Sequence, residues 1–583
     1  MHINGYREIW GVDFEFSAPP GERPRPVCMV AMEFGSGRVI KLWQDELERT
    51  RVAPYPTDEG ALFVAFYSSA EFSCHLALGW PLPERVLDLY VEFRNLTNDR
   101  PLISGHGLLG ALSWCGIDTI GAEEKKSMQE LALRGGPWTP EEQAALLTYC
   151  ETDVRPLQQL LSALFPRLHL PHALLRGRYM KAVARMEDRG IPIDTDLLSR
   201  LHQHRSELNA RLVARVDQEF GVFQGLTFKR SQFARYLADR NIAWPRTELG
   251  GLKLDDETFK IMACLYPALG RLREVRDLRS KLRMVDLPVG QDGRNRCLLS
   301  PYSSKTGRNQ PSTSQFVFGL PSWLRRLIRP SEGFGIAYVD WAQQEFGIAA
   351  ALSGDKAMLE AYATGDPYLA LAVQAGAAPV NATKATHGAV REWFKTCSLG
   401  VLYGMEARGL ARRTNLSDIE AKSLLRAHRE AFPRFWEWSD RVVDHASLQG
   451  QLHTVFGWRI WADGATNVRS LRNFPMQANA AEMLRLACIF ATERGIGVCA
   501  PVHDAVLIEA PLADLDATTA EMQQAMADAS SVVLAGIPLR SDFKLFRYPE
   551  RFEDERGAAM WKMVNALLEE VEGVAPVAPG GVA

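Results

Sequence analysis

The first clear hydrophobic pattern is Val12-Asp13-Phe14-Glu15-Phe16, which alternates apolar and acidic residues with a period of two. That period predicts a strand with Asp13 and Glu15 on one face and the apolar side chains on the other. Short apolar runs alternate with helical segments from residue 1 to about 168, an α/β pattern. Thr139-Pro140-Glu141-Glu142 predicts a helix start with a capping box, and it places Tyr149 and Asp153, four residues apart, on one helical face. A helix-rich stretch covers roughly 170–290 and carries the basic run Arg271, Arg273, Arg276, Arg279, Lys281 and Arg283. Strands are predicted again over 296–364, ending at Ile336-Ala337-Tyr338-Val339-Asp340, and helices over 366–450. A hairpin at Thr454–Ile460, a helix over 476–493 and a turn at His503-Asp504 follow. The Val-, Pro- and Gly-rich tail after Glu569 is predicted to be disordered.

The bulk numbers change this picture little. A chain of 583 residues suits three or four domains, and 46% hydrophobic with 23% charged residues describes ordinary folded cores. The net charge of −3 supplies no general basic footprint for nucleic acid, but a local groove can still be basic. Nine cysteines without a C-x-x-C pair fit reduced thiols better than a zinc site or a disulfide framework. The start of the chain lacks a signal-like segment, and no apolar run reaches the ~20 residues of a membrane span. We therefore expect a soluble, cytoplasmic protein with no membrane partner.

The chemistry lies in three segments. Asp340 ends an apolar run, and Asp504 sits in a turn-prone His-Asp pair 164 residues later, so only the fold can bring them together. Two carboxylates at strand ends suit hard divalent ions such as Mg²⁺. Arg391, Lys395, Leu399 and Tyr403 fall every fourth residue and form one helical stripe. Two cations followed by an apolar and an aromatic side chain match the phosphates, sugar and base of a nucleotide, and Lys395 could protonate a departing pyrophosphate. Each element alone reads equally well as a solvated turn or a charged helix edge; together they point to nucleotidyl transfer.

On these residues the chain resembles family A DNA polymerases of the bacterial DNA polymerase I type. Asp340-Trp341-Ala342-Gln343-Gln344-Glu345 is similar to the palm motif D-Y-S-Q-I-E, Arg391–Gly404 to the fingers motif R-x3-K-x3-F-x3-Y-G, and Val502-His503-Asp504 to V-H-D-E. Lys305-Thr306-Gly307-Arg308 resembles the DNA-contacting T-G-R segment, and Arg469, Asn473 and Gln477 resemble the segment that reads the primer-template minor groove. The resemblance implies that Asp340 and Asp504, with the Trp341 carbonyl, hold two Mg²⁺ ions. It implies that Arg391, Lys395, Leu399, Tyr403, Gln343, Glu345 and His503 bind the nucleotide, with Glu345 as steric gate against a ribose 2′-hydroxyl and His503 at the primer end. Leu399 replaces an aromatic residue, which bears on dideoxynucleotide discrimination, and Ala505 replaces an acidic one.

Near the N-terminus, Asp13, Glu15, Tyr149 and Asp153 match the D-x-E and Y-x3-D elements of 3′→5′ proofreading exonucleases, whose carboxylates hold divalent metals. The middle element N-x-x-(F/Y)-D is missing, and Glu71 takes its place by spacing. The implied architecture is an α/β and α+β multidomain chain: an N-terminal RNase H-like (DnaQ-like) exonuclease domain at 1–168, then a right-hand polymerase at 169–583. Within the polymerase we expect a thumb at about 200–295, its basic helix following the duplex, a palm at about 296–364 and 453–570, and fingers at about 365–452. Residues 571–583 form the expected tail, and no 5′-nuclease domain is expected. The implied partners are primer-template DNA and dNTPs, with replication accessory proteins unassigned and a monomeric state. A single-subunit RNA polymerase and a non-catalytic DNA-binding factor are the competing readings. Glu345 and the exonuclease-like segment weigh against the first, the intact carboxylates and cationic helix against the second.

Overall fold

The computed structural model describes residues 3–118, 122–273, 275–276 and 287–573. The chain divides into two compact units. The first comprises Met1–Gly190, Leu298–Gln310 and Phe334–Leu545; the second comprises Ile191–Cys297, Pro311–Gly333 and Phe546–Ala583.

Two sheets organise the first unit. The N-terminal sheet has five strands in the order Val39–Trp43, Arg25–Glu33, Glu8–Ser17, Ala61–Ala65, Arg85–Asp88. The first three pair antiparallel and the last two join in parallel. Val12 and Phe14 are buried while Asp13 and Glu15 remain partly accessible, so the period-two pattern holds over this stretch. Upstream, Ile9 to Val12 are all buried, because helices cover both faces there. The helix Pro140–Leu164 packs on this sheet. It opens with the expected capping box: Thr139 Oγ1 accepts from the Glu142 amide at 3.2 Å, and the Thr139 amide donates to Glu142 Oε2 at 2.9 Å. The helix Leu170–Arg189 comes so close to the strand Arg85–Asp88 that a Cβ on Gly177 would sit 2.2 Å from the Val86 carbonyl oxygen.

The second sheet has four strands in the order Val498–Val502, Ala505–Pro511, Phe334–Trp341, Ser541–Arg547. Val502 pairs with Ala505, so His503-Asp504 is a two-residue turn, with His503 at a φ of 59°. Asp340 also pairs with Ala505, across the other edge of the same strand. This register is what sets Asp340 beside Asp504. The long helix Val468–Glu493 is buried almost without interruption from Phe474 to Ile489. Among the described residues no helix is long and apolar enough to cross a membrane.

Two expectations on secondary structure are corrected. Between residues 296 and 333 there is no long strand; turns and the short 3-10 helices Val317–Gly319 and Ser322–Leu327 occupy the segment. Pro301, Pro311, Pro321 and Pro330 interrupt it, and proline cannot donate to a strand ladder. The hairpin is present as Gln451–His453 with Arg459–Trp461, but the apolar residues between them form its turn.

In the second unit the rings of Phe233, Trp244 and Phe259 pack against one another, with centres 4.9 to 5.6 Å apart. Of the basic run, Arg279, Lys281 and Arg283 lie outside the described residues. Arg276 stacks 4.0 Å from the centre of Phe259 and donates to the Leu254 carbonyl, so it serves the core of its own unit. Arg271 faces Glu219 at 3.5 Å. The C-terminal helix Ala558–Val571 carries ordered structure beyond the expected start of the tail at 571, since Glu572 still pairs with Arg200. Residues 574–583 lie outside the described residues.

Candidate active site

Burial raises the Asp340 carboxyl to about 7, and the charges of Asp504 and Asp542 push in the same direction against Lys544. Asp504 is also raised, chiefly by burial, with its own amide, Arg308 and His503 pulling the other way. Asp340 Oδ1 is buried with no hydrogen-bond partner among the described residues. An orphaned, hard oxygen facing a second carboxylate is a donor set suited to a divalent cation. The Trp341 amide donates to the Asp504 carbonyl at 3.2 Å, which ties the strand end to the turn.

Asp542 and Lys544 are absent from the motifs read in the sequence. They lie on Ser541–Arg547, the strand next to Phe334–Trp341, two residues apart and therefore on one face. The alternation Asp542-Phe543-Lys544 is the available signal. The family pattern draws attention away from it, because its extra carboxylate belongs at position 505, where the chain has alanine.

Beside the aspartates, Glu345, Tyr403 and Gln477 converge. The Tyr403 hydroxyl and Gln477 Nε2 both donate to Glu345 Oε1, and Gln477 Nε2 lies 2.9 Å from the Tyr403 oxygen. Burial and the neighbouring Glu345 raise the Tyr403 hydroxyl, keeping it a donor. Three elements far apart in sequence supply these groups: the helix Gln344–Ser353, the end of Gly388–Leu402, and Val468–Glu493. Arg308 faces the same cluster. Burial depresses it, while Glu345, Tyr403 and Asp504 favour its charged form. Gln343 has a φ of 47° at the start of its helix, and its Oε1 is buried without a partner among the described residues.

The stripe on Gly388–Leu402 forms as expected, with Tyr403 as its C-cap. Arg391 is buried; its guanidinium bonds Asp366 and Glu392 and lies 5.4 Å from the centre of Tyr368. Lys395 is freer, its side chain 40% exposed and 3.7 Å from Glu392. Leu399 is half-buried and His503 exposed. Arg469, Asn473 and Gln477 follow one another at four-residue steps along Val468–Glu493. Arg469 is exposed, 3.5 Å from Glu406, whereas Gln477 is buried.

The N-terminal carboxylates form a second cluster. Oxygens of Asp13, Glu15 and Asp153 all lie within 4.8 Å of one another. They open on a cavity of about 690 Å³ that Tyr149 and Glu71 also line. Burial first, then Asp153, raises Asp13 to about 7; burial and Asp13 raise Glu15 to about 10. These mutually repelling oxygens fit a divalent cation. Burial and Asp153 raise the Tyr149 hydroxyl. Glu71 is not part of the three-carboxylate group. Its Oε2 accepts the Phe14 amide at 2.9 Å, and burial raises its carboxyl well above the usual range. Lys125, also outside the sequence motifs, pairs with Asp153 at 2.5 Å and lies 5.6 Å from the Tyr149 ring centre. It comes from a helix with no recognisable motif. Asp88, at the end of the strand Arg85–Asp88, is buried and caps the helix Leu89–Thr97, accepting from the amides of Ser68 and Val91.

Residues 319–547 match the model of DNA polymerase family A. The chain is 27% identical over 580 residues to the thermostable DNA polymerase I of Thermus aquaticus, covering 90% of this chain and 67% of that protein. It is 26% identical to the thermostable DNA polymerase I of Thermus thermophilus over 82% of this chain and 62% of the relative, and 25% identical to DNA polymerase I of Aquifex aeolicus over 64% and 66%. The chain thus spans about two thirds of the length of these relatives. Its fold is similar to that of the POL domain of Pol1 from M. smegmatis, solved in complex with DNA primer-template and dNTP. The TM-score is 0.70 at 20% identity, covering 94% of this chain and 96% of that one. The architecture and the paired aspartates define a mixed α/β polymerase fold. Over residues 319–547 the chain is similar to DNA polymerase family A.

Proposed function

We infer that this chain is a DNA-directed DNA polymerase that extends a primer with dNTPs on a DNA template. The observation that carries the reading is the strand register setting Asp340 beside Asp504, with the Glu345–Tyr403–Gln477 cluster and the cations of Gly388–Leu402 on neighbouring elements. Asp340 and Asp504, with the Trp341 carbonyl, would hold two Mg²⁺ ions. Bound there, divalent ions lower the pKa of the attacking 3′-hydroxyl and neutralise charge on the leaving phosphates.

The protein groups do the rest. Lys395, half-exposed, meets the triphosphate and donates a proton to the departing pyrophosphate. Arg391 joins it once the incoming phosphates compete with Asp366 for its guanidinium. Leu399 and Tyr403 flank sugar and base. Glu345, held by Tyr403 and Gln477, fills the space of a 2′-hydroxyl, so its position is fixed before the nucleotide arrives. Gln343 and His503 lie near the nucleotide and primer end, and Arg308, Arg469, Asn473 and Gln477 face primer-template DNA. The family-level match and the DNA-bound fold neighbour support this assignment. The thumb, palm and fingers take the boundaries given above.

For residues 1–168 we propose a 3′→5′ exonuclease, with Asp13, Glu15 and Asp153 holding divalent ions and Tyr149 orienting the attacking water. The compact carboxylate triad in an open cavity supports it. Glu71 acts here by fixing the strand that carries Asp13 and Glu15, through the Phe14 amide.

The test is extension of a labelled primer-template with Mg²⁺ and dNTPs, run beside Asp504→Ala and a reaction without dNTPs. Extension lost in Asp504→Ala, with primer shortening when dNTPs are withheld, supports both activities. Extension without shortening removes the exonuclease, and no extension removes the polymerase.

A further inference from the structure

The segment 302–308, which carries Arg308 toward the Asp504–Glu345 cluster, is held by hydrogen bonds from the N-terminal region of the same compact unit. Gly307, at a φ of 74°, donates its amide to the Ser304 carbonyl at 2.9 Å. The Arg308 amide bonds Ser304 Oγ at 2.8 Å. Such a tight turn leaves its outward carbonyls for other donors. The Lys305 carbonyl receives Asn98 Nδ2 at 2.7 Å and Trp458 Nε1 at 3.1 Å. The Ser303 carbonyl receives Arg94 at 2.9 Å, and Lys305 Nζ pairs with Asp99.

The same stretch, the helix Leu89–Thr97 and Asn98 after it, also holds the hairpin behind that turn. Asn98 Nδ2 donates its second hydrogen to the Arg459 carbonyl at 2.6 Å. Asn95 bonds the hairpin in both directions, to the Gly457 carbonyl at 3.1 Å and from the Arg459 amide at 2.8 Å. Glu92 grips Arg176 through two bonds of 2.6 and 2.7 Å, and Arg176 reaches the Phe456 carbonyl at 2.9 Å. These side chains are buried. Packing alone would be satisfied by apolar contacts; buried donors aimed at individual carbonyls instead fix position and angle.

We propose that the helix Leu89–Thr97 with Asn98 is a positioning element of the polymerase site, and that Asn98 is its central residue, acting through the Lys305 carbonyl on Arg308. The N-terminal region therefore serves DNA synthesis by holding a DNA-facing arginine, apart from any nuclease chemistry of its own. This rests on the polymerase reading above. Asn98 has two amide hydrogens and uses both, on carbonyls of the two segments that Arg308 depends on. Replacing that amide by a carboxylate turns two attractions into two repulsions without a change of shape.

The experiment uses the full chain and a labelled primer-template, measuring Kd, KM and kcat for wild type, Asn98→Asp, Asn98→Ala, Arg308→Ala and the double variant Asn98→Ala/Arg308→Ala. We expect Asn98→Asp and Asn98→Ala to raise the primer-template Kd about ten-fold, with the loss in KM for DNA rather than in kcat. In the Arg308→Ala background, Asn98→Ala should change Kd by less than about two-fold, because residues that act through one another are not additive. If Asn98→Asp does not fold, Asn98→Ala, which adds no charge, carries the measurement. An unchanged Kd in a folded Asn98→Ala, or the same ten-fold loss in both backgrounds, overturns the proposal. Failure of the wild type to extend primers would instead overturn the polymerase reading.

Discussion

Replacing Asp340 by Asn is expected to stabilise the metal-free protein at alkaline pH and to do so less in mild acid. The Asp340 carboxyl titrates at about 7 in the folded chain, against 3.8 ordinarily, because it is buried beside Asp504 and Asp542. Between these values the folded state keeps a proton that the unfolded state has released. Stability therefore falls as pH rises from about 4 and levels off above about 7. At 1.36 kcal/mol per pH unit the full interval corresponds to about 4 kcal/mol. Asp340 is only partly enclosed, and screening by solvent brings the expected gain for Asp340→Asn at pH 8 to about 1–3 kcal/mol. Urea unfolding in EDTA at pH 5 and pH 8 measures it. The gain at pH 8 should exceed that at pH 5 by about 1–2 kcal/mol, since at pH 5 the folded carboxyl is still largely protonated. Adding Mg²⁺ should stabilise the wild type more than the variant, through the linkage of ligand to fold. An equal gain at both pH values, or none, would refute the claim that a strained carboxylate sits at position 340.

Three further outcomes are expected. Glu345→Ala should lower discrimination between dATP and rATP, read as the ratio of kcat/KM, by about 10–200-fold; an unchanged ratio would show that Glu345 does not occupy the 2′-hydroxyl space. Because Asp13 titrates at about 7 and Glu15 at about 10, Mn²⁺ added to metal-free protein in weak buffer at pH 7 should release about one to two protons. The release should rise as pH falls from 8 to 6 and disappear in Asp13→Asn/Glu15→Gln, and no release in the wild type would mean the cluster is already ionised. Gly177→Ala should cost about 3 kcal/mol, since its Cβ would stand 2.2 Å from a backbone oxygen that cannot rotate away; a melting temperature within about 1 °C of wild type would mean the helix and strand can separate freely.

Local signals transferred from sequence to structure where the neighbours in space were also neighbours in the chain. The capping box at Thr139, the four-residue stripe from Arg391 to Leu399 and the alternation at Asp13 and Glu15 depend on helix and strand periods, and all three formed. The proximity of Asp340 to Asp504 came from motif resemblance, because a register between strands 164 residues apart leaves no local trace. Glu71 illustrates the limit. Spacing put it among the metal-facing carboxylates; in the fold one of its oxygens bonds the Phe14 amide while the side chain lines the same cavity as Asp13 and Glu15. Arg276 shows another. Its charge read as a DNA contact, yet its stem and planar head pack on Phe259, a use of arginine that composition does not reveal. Lys125 and Asp542 escape a motif-based reading because each completes a site through one side chain on an otherwise unremarked element.

Both carboxylate clusters follow one physical logic. Each gathers acidic side chains where burial and like charge raise their titration, so each opposes folding once its carboxyls ionise. A fold can carry two such sites only if the surrounding frame is rigid, and the frame here is polar as well as apolar. Buried Glu92, Arg176, Asn95 and Asn98 tie the helix Leu89–Thr97 and the residue after it to the turn that carries Arg308 and to the hairpin behind it, through hydrogen bonds to named carbonyls. Hydrophobic packing would tolerate sliding of a few tenths of an ångström between these pieces, whereas a donor bonded to two carbonyls at 2.6 and 2.7 Å does not. The bonds that fix this turn thus hold Arg308 beside Asp504 and Glu345, and removing them should loosen its position there.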